Sequence, residues 1–182
     1  MRKAILLCAL SLPLYSFAFV WQVGPARTYT RPGQVAPLVN TGDTVEIDAA
    51  IYVGDVCVWS KSNLLLKGVG GRPHLRANGN NAIGKGIWVL AGNNITVENI
   101  EFSEASVPDQ NGAGIRLDGV GMSIKNCYFH DNENGILTNN NGGTILIDNS
   151  EFGFNGFGDG QSHNIYIGSV DTAIIRFSYF HH

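Results

Sequence analysis

The sequence predicts an all-β solenoid, a parallel β-helix of about five coils with an N-terminal cap, from two repeating registers and strand-like alternation within each repeat. The first register joins an inward aliphatic residue, an Asn two positions later and a Phe three positions after that, as in Ile124, Asn126 and Phe129. The trio recurs at Val97, Asn99 and Phe102, at Ile147, Asn149 and Phe152, and, with Phe177 replacing the Asn, at Ile175 and Phe180. The steps are 27, 23 and 28 residues, a period typical of repeat proteins.

A second register supports the same architecture. It consists of aliphatic residues, mostly preceded by Gly, at Ile87, Ile115, Ile136 and Ile165. Apolar and polar residues alternate in residues 94–99 and 122–126, which is the spacing of strands with one buried face. Gly and Asn interrupt the strands and favour tight turns. Short strands joined by such turns stack coil upon coil.

Equivalent residues of successive coils should form columns. Inward, we expect an aliphatic stack beginning at Leu66, an aromatic stack of the Phe residues, and a ladder of Asn side chains that bond one another. Outward, the residues that follow the aliphatic stack alternate in charge: Glu98, Lys125, Asp148 and Arg176. We interpret this outward column as a cross-strand ion-pair ladder, and all of these columns as structural.

Residues 1–18 are predicted to be a secretory signal peptide. Arg2 and Lys3 supply a positive start, residues 4–14 an apolar core, and residues 16–18 a small-x-small cleavage site. The apolar run is too short to span a membrane. Cys8 within it lacks the small residues that precede a lipid-modified Cys. We therefore expect a periplasmic or secreted protein that begins at Phe19.

The remaining chain divides into two parts. Residues 19–62 should form the N-terminal cap, around Trp21 and Tyr29, and the first coil. Residues 63–182 should form the regular coils, the last of them incomplete, because the sequence ends soon after Phe180 and before the second strand of that coil. We expect a C-terminally truncated chain. The alternative is that the last coil stays open, in which case its edge can associate end to end with another copy.

The net charge bears on which partners the protein can bind, and the cysteine positions bear on whether a disulfide forms. Without Arg2 and Lys3, 10 basic side chains stand against 15 acidic ones, a formal net charge of −5 that argues against nucleic-acid binding. Two cysteines remain, Cys57 and Cys127. They fall in different columns about two coils apart, which favours free thiols. A disulfide in an oxidising compartment remains the alternative.

An outward column that follows the second register by one residue is the predicted ligand-binding surface: Trp88, Arg116, Leu137 and Tyr166. Neighbouring strands lie about 4.8 Å apart, a spacing that suits an extended polymer. Aromatic rings can stack on sugars, and a guanidinium can pair with carboxylates. We predict Trp88 and Tyr166 as substrate-binding residues. The alternative is that they are single exposed side chains on a sheet.

The least regular stretch, residues 153–164, contains four Gly within eight residues together with Asp159 and His163. A His acts as acid or base near neutral pH when a carboxylate orients it. We predict Asp159, His163 and Arg116 as catalytic residues. The alternative is a Gly-rich turn whose His caps a strand.

No metal site is predicted, because no Cys, His or carboxylate cluster has zinc spacing along the chain. His130 and His181 should nevertheless share one face, separated by the coil at Gly153. The acidic residues considered for Ca²⁺ are scattered: Asp109, Asp118, Asp131, Glu133 and Asp159. The cofactor is therefore unassigned, with Ca²⁺ left open.

Four stretches carry a family resemblance: Gly42–Ile47, Asn63–Pro73, Asp131–Ile136 and Ser162–Gly168. With the Asn-x-x-Phe coils, they resemble the secreted right-handed parallel β-helix proteins of the pectate-lyase-like superfamily, in a subgroup of undefined activity whose members continue well beyond this length. The resemblance covers nearly all of the chain after the signal peptide. In polyuronate lyases of this superfamily, clustered acidic residues hold Ca²⁺ and an Arg or Lys acts as base. Here each outward Lys or Arg of the charged column has an acid beside it.

The resemblance implies a protein that binds or modifies an acidic or neutral polysaccharide, as a lyase, hydrolase or epimerase. Fold analogy carries this expectation and does not specify the reaction, so whether the protein is an enzyme stays open. The alternatives are a non-catalytic scaffold or surface module that binds glycans, and a truncated remnant without activity.

Overall fold

A computed structural model describes residues 18–158 and 160–182, and residues 1–17, with nearly all of the predicted signal peptide, lie outside the described residues. The described chain contains one helical turn, α1 (Pro32–Val35), and 18 strands. The strands are β1 Val20–Val23, β2 Thr44–Asp48, β3 Ile51–Val53, β4 Cys57–Trp59, β5 Leu65–Val69, β6 His74–Arg76, β7 Gly86–Leu90, β8 Ile95–Glu98, β9 Glu101–Ser103, β10 Ala113–Leu117, β11 Met122–Lys125, β12 Tyr128–His130, β13 Asn134–Thr138, β14 Thr144–Asp148, β15 Glu151–Gly153, β16 Ile165–Tyr166, β17 Thr172–Arg176 and β18 Tyr179–His181.

The strands form three parallel sheets that wind as a solenoid. Sheet A has the order β1-β2-β5-β8-β11-β14-β17, sheet B the order β3-β6-β9-β12-β15-β18, and sheet C the order β4-β7-β10-β13-β16. The predicted parallel β-helix is therefore confirmed. Sheet B is a 6-stranded sheet, which corresponds to about six coils in the described chain. The sequence predicts about five coils, and the first of the six begins at β2, within residues 19–62, which are predicted to form the cap and the first coil.

The inward columns of sheets A and B are those that the sequence predicts. In sheet A, the paired aliphatic residues are Leu66, Val97, Ile124, Ile147 and Ile175. In sheet B, the stacked rings are those of Phe102, Phe129, Phe152 and Phe180, with centroids 4.8 to 5.0 Å apart and planes within 9° of parallel. Rings stacked at the strand spacing fill the interior and bury large apolar surfaces.

The predicted Asn ladder occupies the turn between sheets A and B. Asn99, Asn126 and Asn149 have left-handed backbone, with φ of 57°, 52° and 49°. The side-chain amide of Asn126 donates to Asn99 Oδ1 at 3.0 Å, and that of Asn149 donates to Asn126 Oδ1 at 3.4 Å. Asn suits this turn because it tolerates positive φ and because its side chain both donates and accepts hydrogen bonds.

The predicted charged column lies on the outer face of sheet A and extends further toward the N-terminus. Its members pair in register in the order Glu46, Lys67, Glu98, Lys125, Asp148 and Arg176. Lys67 Nζ lies 3.0 Å from Glu46 Oε1, and Arg176 Nη2 lies 2.8 Å from Asp148 Oδ2. These pairs are exposed to solvent, which screens the charges, so each stabilises the fold only weakly.

The N-terminal segment is attached to the first coil through Asp43. β1 pairs with β2, and the buried Asp43 carboxylate accepts hydrogen bonds from Phe19 N, Trp21 Nε1 and Asn40 N at 2.8 to 2.9 Å. Burial opposes ionisation of Asp43, but these donors outweigh burial, so the pKa of Asp43 lies below its ordinary value. α1 adds the buried Val35 to the same core.

Three further predictions concern the cysteines, membrane crossing and the last coil. Cys57 and Cys127 are free buried thiols, and burial raises the pKa of Cys127 to about 12. Among the described residues, no helix is long and apolar enough to cross a membrane. In the last coil, the inward Ile175 and Phe180 are 46% and 39% exposed. End-to-end association through this coil stays a prediction.

Candidate functional site

A cleft of about 450 Å³ lies on the outer face of sheet C. Three of its lining residues, Arg116 in β10, Leu137 in β13 and Tyr166 in β16, pair in register on successive strands. They face outward because side chains alternate along a strand and the preceding Ile of each strand faces the core. The rest of the lining is polar and consists of Asn111, Thr138, Asn139, Asn140 and Gln161.

Trp88 does not belong to this outward column, and its prediction as an exposed sugar-binding residue is wrong. Trp88 pairs with Ile115, whereas Val89 pairs with Arg116. Trp88 is 0% exposed and packs edge-on against Phe102 inside the solenoid, with ring centroids 5.2 Å apart. The second register matched the residue before Trp88 to Ile115, and a slip of one residue exchanges the inside and outside of a strand.

Arg116 brings positive charge to the cleft. Its Nε lies 3.5 Å from Asp118 Oδ1, while Lys85 Nζ donates a hydrogen bond to Asp118 Oδ2. One carboxylate is thus shared by two cations, which leaves an excess of one positive charge in this group. Arg116 Nε is buried and has no hydrogen-bond acceptor among the described residues. Because Nε is buried, an anionic ligand can contact Arg116 only through the exposed part of its side chain, which is 24% exposed.

Tyr166 borders the cleft with a side chain that is 50% exposed. The His163 ring stacks on Tyr166, with centroids 5.8 Å apart and planes 17° apart, but His163 lines a separate cavity near Phe180. Asp159, the carboxylate predicted to orient His163, lies outside the described residues. The structure therefore brings Arg116 and Tyr166 into one cleft and places His163 against Tyr166. Catalysis by Asp159, His163 and Arg116 stays a prediction.

Glu133 fixes the loop that carries Asn111. Glu133 Oε2 accepts hydrogen bonds from Val107 N at 3.0 Å and Gly112 N at 2.6 Å, and Oε1 accepts one from Ser106 Oγ at 2.8 Å. The loop wall of the cleft is thus held by one carboxylate. Both oxygens of Glu133, one of the acidic residues considered for Ca²⁺, serve this structural purpose.

The outer face of sheet B carries a group that the sequence analysis did not identify: His74, Glu101 and His130, referred to below as the His–Glu–His cluster. Glu101 Oε1 lies 3.4 Å from His74 Nδ1 and 3.0 Å from His130 Nε2. Within residues 18–158 and 160–182, these three side chains could hold a metal ion, because one ligand atom of each lies within 4.8 Å of the others. Burial lowers the pKa of His74, although the Glu101 carboxylate opposes that shift.

The repeat architecture also appears in a comparison with known families. A family model described as "Right handed beta helix region" matches residues 62–182. This chain belongs to the right-handed β-helix family. Searches of curated proteins and of solved structures found no match. Membership agrees with the expected fold and its hand, and the fold is consistent with polysaccharide-related function in general. The pectate-lyase-like subgroup and secretion stay predictions.

In this right-handed β-helix, the missed cluster has a signal in the sequence. Each member directly precedes or follows an inward residue of sheet B: His74 precedes Leu75, Glu101 precedes Phe102, and His130 follows Phe129. Leu75 occupies the same inward column as the Phe residues, because it pairs with Phe102. Extending the aromatic register to this Leu, and then aligning the flanking residues, would have placed the three side chains together.

Proposed function

We propose that this right-handed β-helix protein binds an acidic polysaccharide along the outer face of sheet C, with Arg116 and Tyr166 as the main contacts. The observation that carries the proposal is a cation and an exposed aromatic ring in one cleft, on strands of the same column. At about 4.8 Å per strand, two steps separate them by about 10 Å along the solenoid axis. An extended polymer lying along that axis contacts both.

The charge of the cleft favours an acidic ligand. Arg116 shares Asp118 with Lys85, so the existing carboxylate does not neutralise both cations. A planar guanidinium matches the geometry of a carboxylate, and a hydrogen bond to a charged group contributes about 1.5–3 kcal/mol. A uronate residue of a polysaccharide supplies such a carboxylate, whereas a neutral sugar does not.

Tyr166 favours a sugar chain over a small anion. Its exposed ring presents an apolar face together with a hydroxyl group, a combination suited to ligands that are partly apolar and partly hydrated. The stacked ring of His163 limits the orientations open to Tyr166, which reduces the conformational entropy lost on binding. Between Tyr166 and Arg116, the buried Leu137 forms the floor of the column.

Binding, rather than modification, is the function for which the described geometry provides the required groups. Guanidinium, phenol and amide side chains bind sugars through hydrogen bonds and contact with the ring. Cleavage or epimerisation also needs an acid or base within hydrogen-bond reach of the substrate. Asp159, His163 and Arg116 are the residues predicted for catalysis, so enzymatic modification is a separate hypothesis with its own readout.

The test compares wild-type protein with Arg116→Ala in affinity electrophoresis and calorimetry, using polygalacturonate as the acidic probe and dextran as the neutral one. We expect wild type to prefer polygalacturonate and Arg116→Ala to bind it about 10- to 100-fold more weakly, as expected for a lost charge-assisted hydrogen bond. Arg176→Ala is the matched control, because Arg176 lies on sheet A, paired with Asp148. Equal loss in both variants, or no binding by wild type, would contradict the proposal.

The aromatic contact is tested separately with Tyr166→Ala, for which we expect a loss of severalfold in affinity. Tyr179→Ala is its control, because Tyr179 is also exposed but lies on sheet B. The same incubations are read for unsaturated products by ultraviolet absorbance and for new reducing ends. Either signal in wild type, abolished in Asp159→Ala or His163→Ala, would establish modification in addition to binding.

A further inference from the structure

The His–Glu–His cluster is assembled by the register of three successive coils. His74 in β6 pairs directly with Glu101 in β9, and Glu101 pairs with Tyr128 in β12. His130 lies two residues beyond Tyr128 and therefore projects from the same face. Parallel strands on both sides fix the backbone at all three positions, so the side chains converge without requiring a long loop.

The distances within the cluster are close to those that a tetrahedral metal ion imposes. Glu101 Oε1 is 3.4 Å from His74 Nδ1 and 3.0 Å from His130 Nε2. Bonds of about 2.0–2.1 Å to a tetrahedral Zn²⁺ place neighbouring ligand atoms about 3.4 Å apart. The ligand atoms of His74 and His130 lie within 4.8 Å of each other, so binding one ion requires small movements of the imidazoles as well as of Glu101.

The outer partners of the two imidazoles match those of metal-binding histidines. His74 Nε2 is 2.7 Å from Ser103 Oγ, and His130 Nδ1 is 2.6 Å from Asp131 Oδ2. Each ring thus has one nitrogen held by a neighbouring oxygen and the other directed at Glu101. Hydrogen bonding of the far nitrogen to a carboxylate or hydroxyl orients the ring and raises its basicity as a ligand. Tyr128 stacks on His130, with centroids 4.4 Å apart, and further restricts that ring.

Access and charge also suit a cation. The side chains of His74, Glu101 and His130 are 20%, 25% and 17% exposed, so the cluster is partly buried but open to solvent. His130 contacts two carboxylates, those of Glu101 and Asp131. Two negative charges beside the imidazoles favour a dication.

We propose that His74 Nδ1, His130 Nε2 and a Glu101 carboxylate oxygen bind one divalent transition-metal ion, of which Zn²⁺ is the best match. Two imidazoles and one carboxylate are a ligand set typical of Zn²⁺ and other first-row transition metals, whereas Ca²⁺ takes oxygen ligands. Three protein ligands leave a coordination position open to water or to another ligand. This site is distinct from the sheet C cleft and does not depend on polysaccharide binding.

The test is metal titration of the tag-free full chain after chelator treatment and removal of the chelator. We expect one Zn²⁺ bound per chain by calorimetry, and Co²⁺ to produce visible d–d absorption that Zn²⁺ displaces and Ca²⁺ does not. His74→Gln and Glu101→Gln should each weaken Zn²⁺ binding at least tenfold and abolish the Co²⁺ spectrum. Asp131→Asn, which alters only an outer partner, should weaken binding about 10- to 100-fold with the Co²⁺ bands shifted rather than lost.

His181→Ala is the matched control. His181 lies in the same column as His130 and contacts the Glu151 carboxylate at 3.1 Å, but Gly153 separates the two imidazoles. Its Zn²⁺ affinity should equal that of wild type. Absence of Zn²⁺ binding by folded wild type, or loss of binding in His181→Ala with retention in His74→Gln, would overturn the proposal. Circular dichroism of each variant separates loss of ligands from loss of fold.

Discussion

The inward column of sheet B and the outward columns beside it are built on the same strands but follow different rules. The inward column contains apolar or aromatic residues throughout: Tyr52, Leu75, Phe102, Phe129, Phe152 and Phe180. The outward column one residue earlier changes character at almost every coil: Ile51, His74, Glu101, Tyr128, Glu151 and Tyr179. Each coil must fill the same interior, so the inside repeats. The outside has no such constraint, and we infer that specific binding resides there.

The largest loss of stability is expected from a substitution in the inward column of sheet B. Phe129→Ala removes a ring that is 0% exposed and stacks on Phe102 and Phe152. We expect a loss of about 3–5 kcal/mol in the free energy of unfolding, because the truncation loses buried apolar surface and leaves a cavity. Urea denaturation followed by circular dichroism measures it.

Tyr128→Ala is the control from the adjacent outward position. Tyr128 contacts His130 but fills no part of the interior, so a loss of about 1 kcal/mol or less is expected. Similar losses in Phe129→Ala and Tyr128→Ala would show that inward and outward columns are not energetically distinct.

A smaller loss of stability is expected at the first coil, where the buried side chain of Asp43 is polar. Asp43→Asn removes the charge that accepts hydrogen bonds from Phe19, Trp21 and Asn40. We expect a loss of about 2 kcal/mol in stability at pH 7, since hydrogen bonds to a charged group contribute about 1.5–3 kcal/mol. Asp109→Asn, at an exposed position, should change stability little.

The pH dependence of this effect has a defined sign. The pKa of Asp43 is lower in the folded than in the unfolded chain, so its charge stabilises the fold above the unfolded value of about 3.9. That stabilisation disappears as pH falls through the folded pKa. The stability difference between wild type and Asp43→Asn should be full at pH 7 and shrink below about pH 4. A difference that grows on acidification would contradict the assigned shift.

The smallest expected effect concerns the charged column on sheet A. Lys67→Ala removes the ion pair with Glu46, whose side chains are 32% and 27% exposed in that order. We expect a change of about 0.5 kcal/mol or less in stability, and less again at high salt, because exposed ion pairs are screened. Denaturation at low and high salt measures it. A loss above about 1 kcal/mol would mean that this outward column contributes to stability as the inward columns do.

The interior could be predicted because equivalent positions repeat the same residue types. Asn99, Asn126 and Asn149 recur because only a few residues tolerate a left-handed turn and bond along the axis. The prediction failed at Trp88, where an aromatic residue occupies an inward position that is aliphatic in the next coil. Matching Ile to Ile shifted the register by one residue, and only the pairing of β7 with β10 identifies the correct face.

The sites were predictable to different extents. Arg116 and Tyr166 share a predicted column whose spacing held from β10 to β16, so the sequence brought them together. The His–Glu–His cluster joins different residue types separated by 27 to 29 positions, with a Leu instead of a Phe beside His74. No short sequence motif predicts this cluster, because the contact between its three side chains depends on the exact register of strands in successive coils.

The most direct test of the central claim, that ligands bind the non-repeating outer faces while the repeating interior supports them, is an amide chemical-shift map by NMR. An oligogalacturonate should shift amides around Arg116, Leu137 and Tyr166, and leave those of the Phe stack and the Asn ladder unchanged. Shifts confined to the Asn ladder, the charged column of sheet A or the last coil would contradict the account.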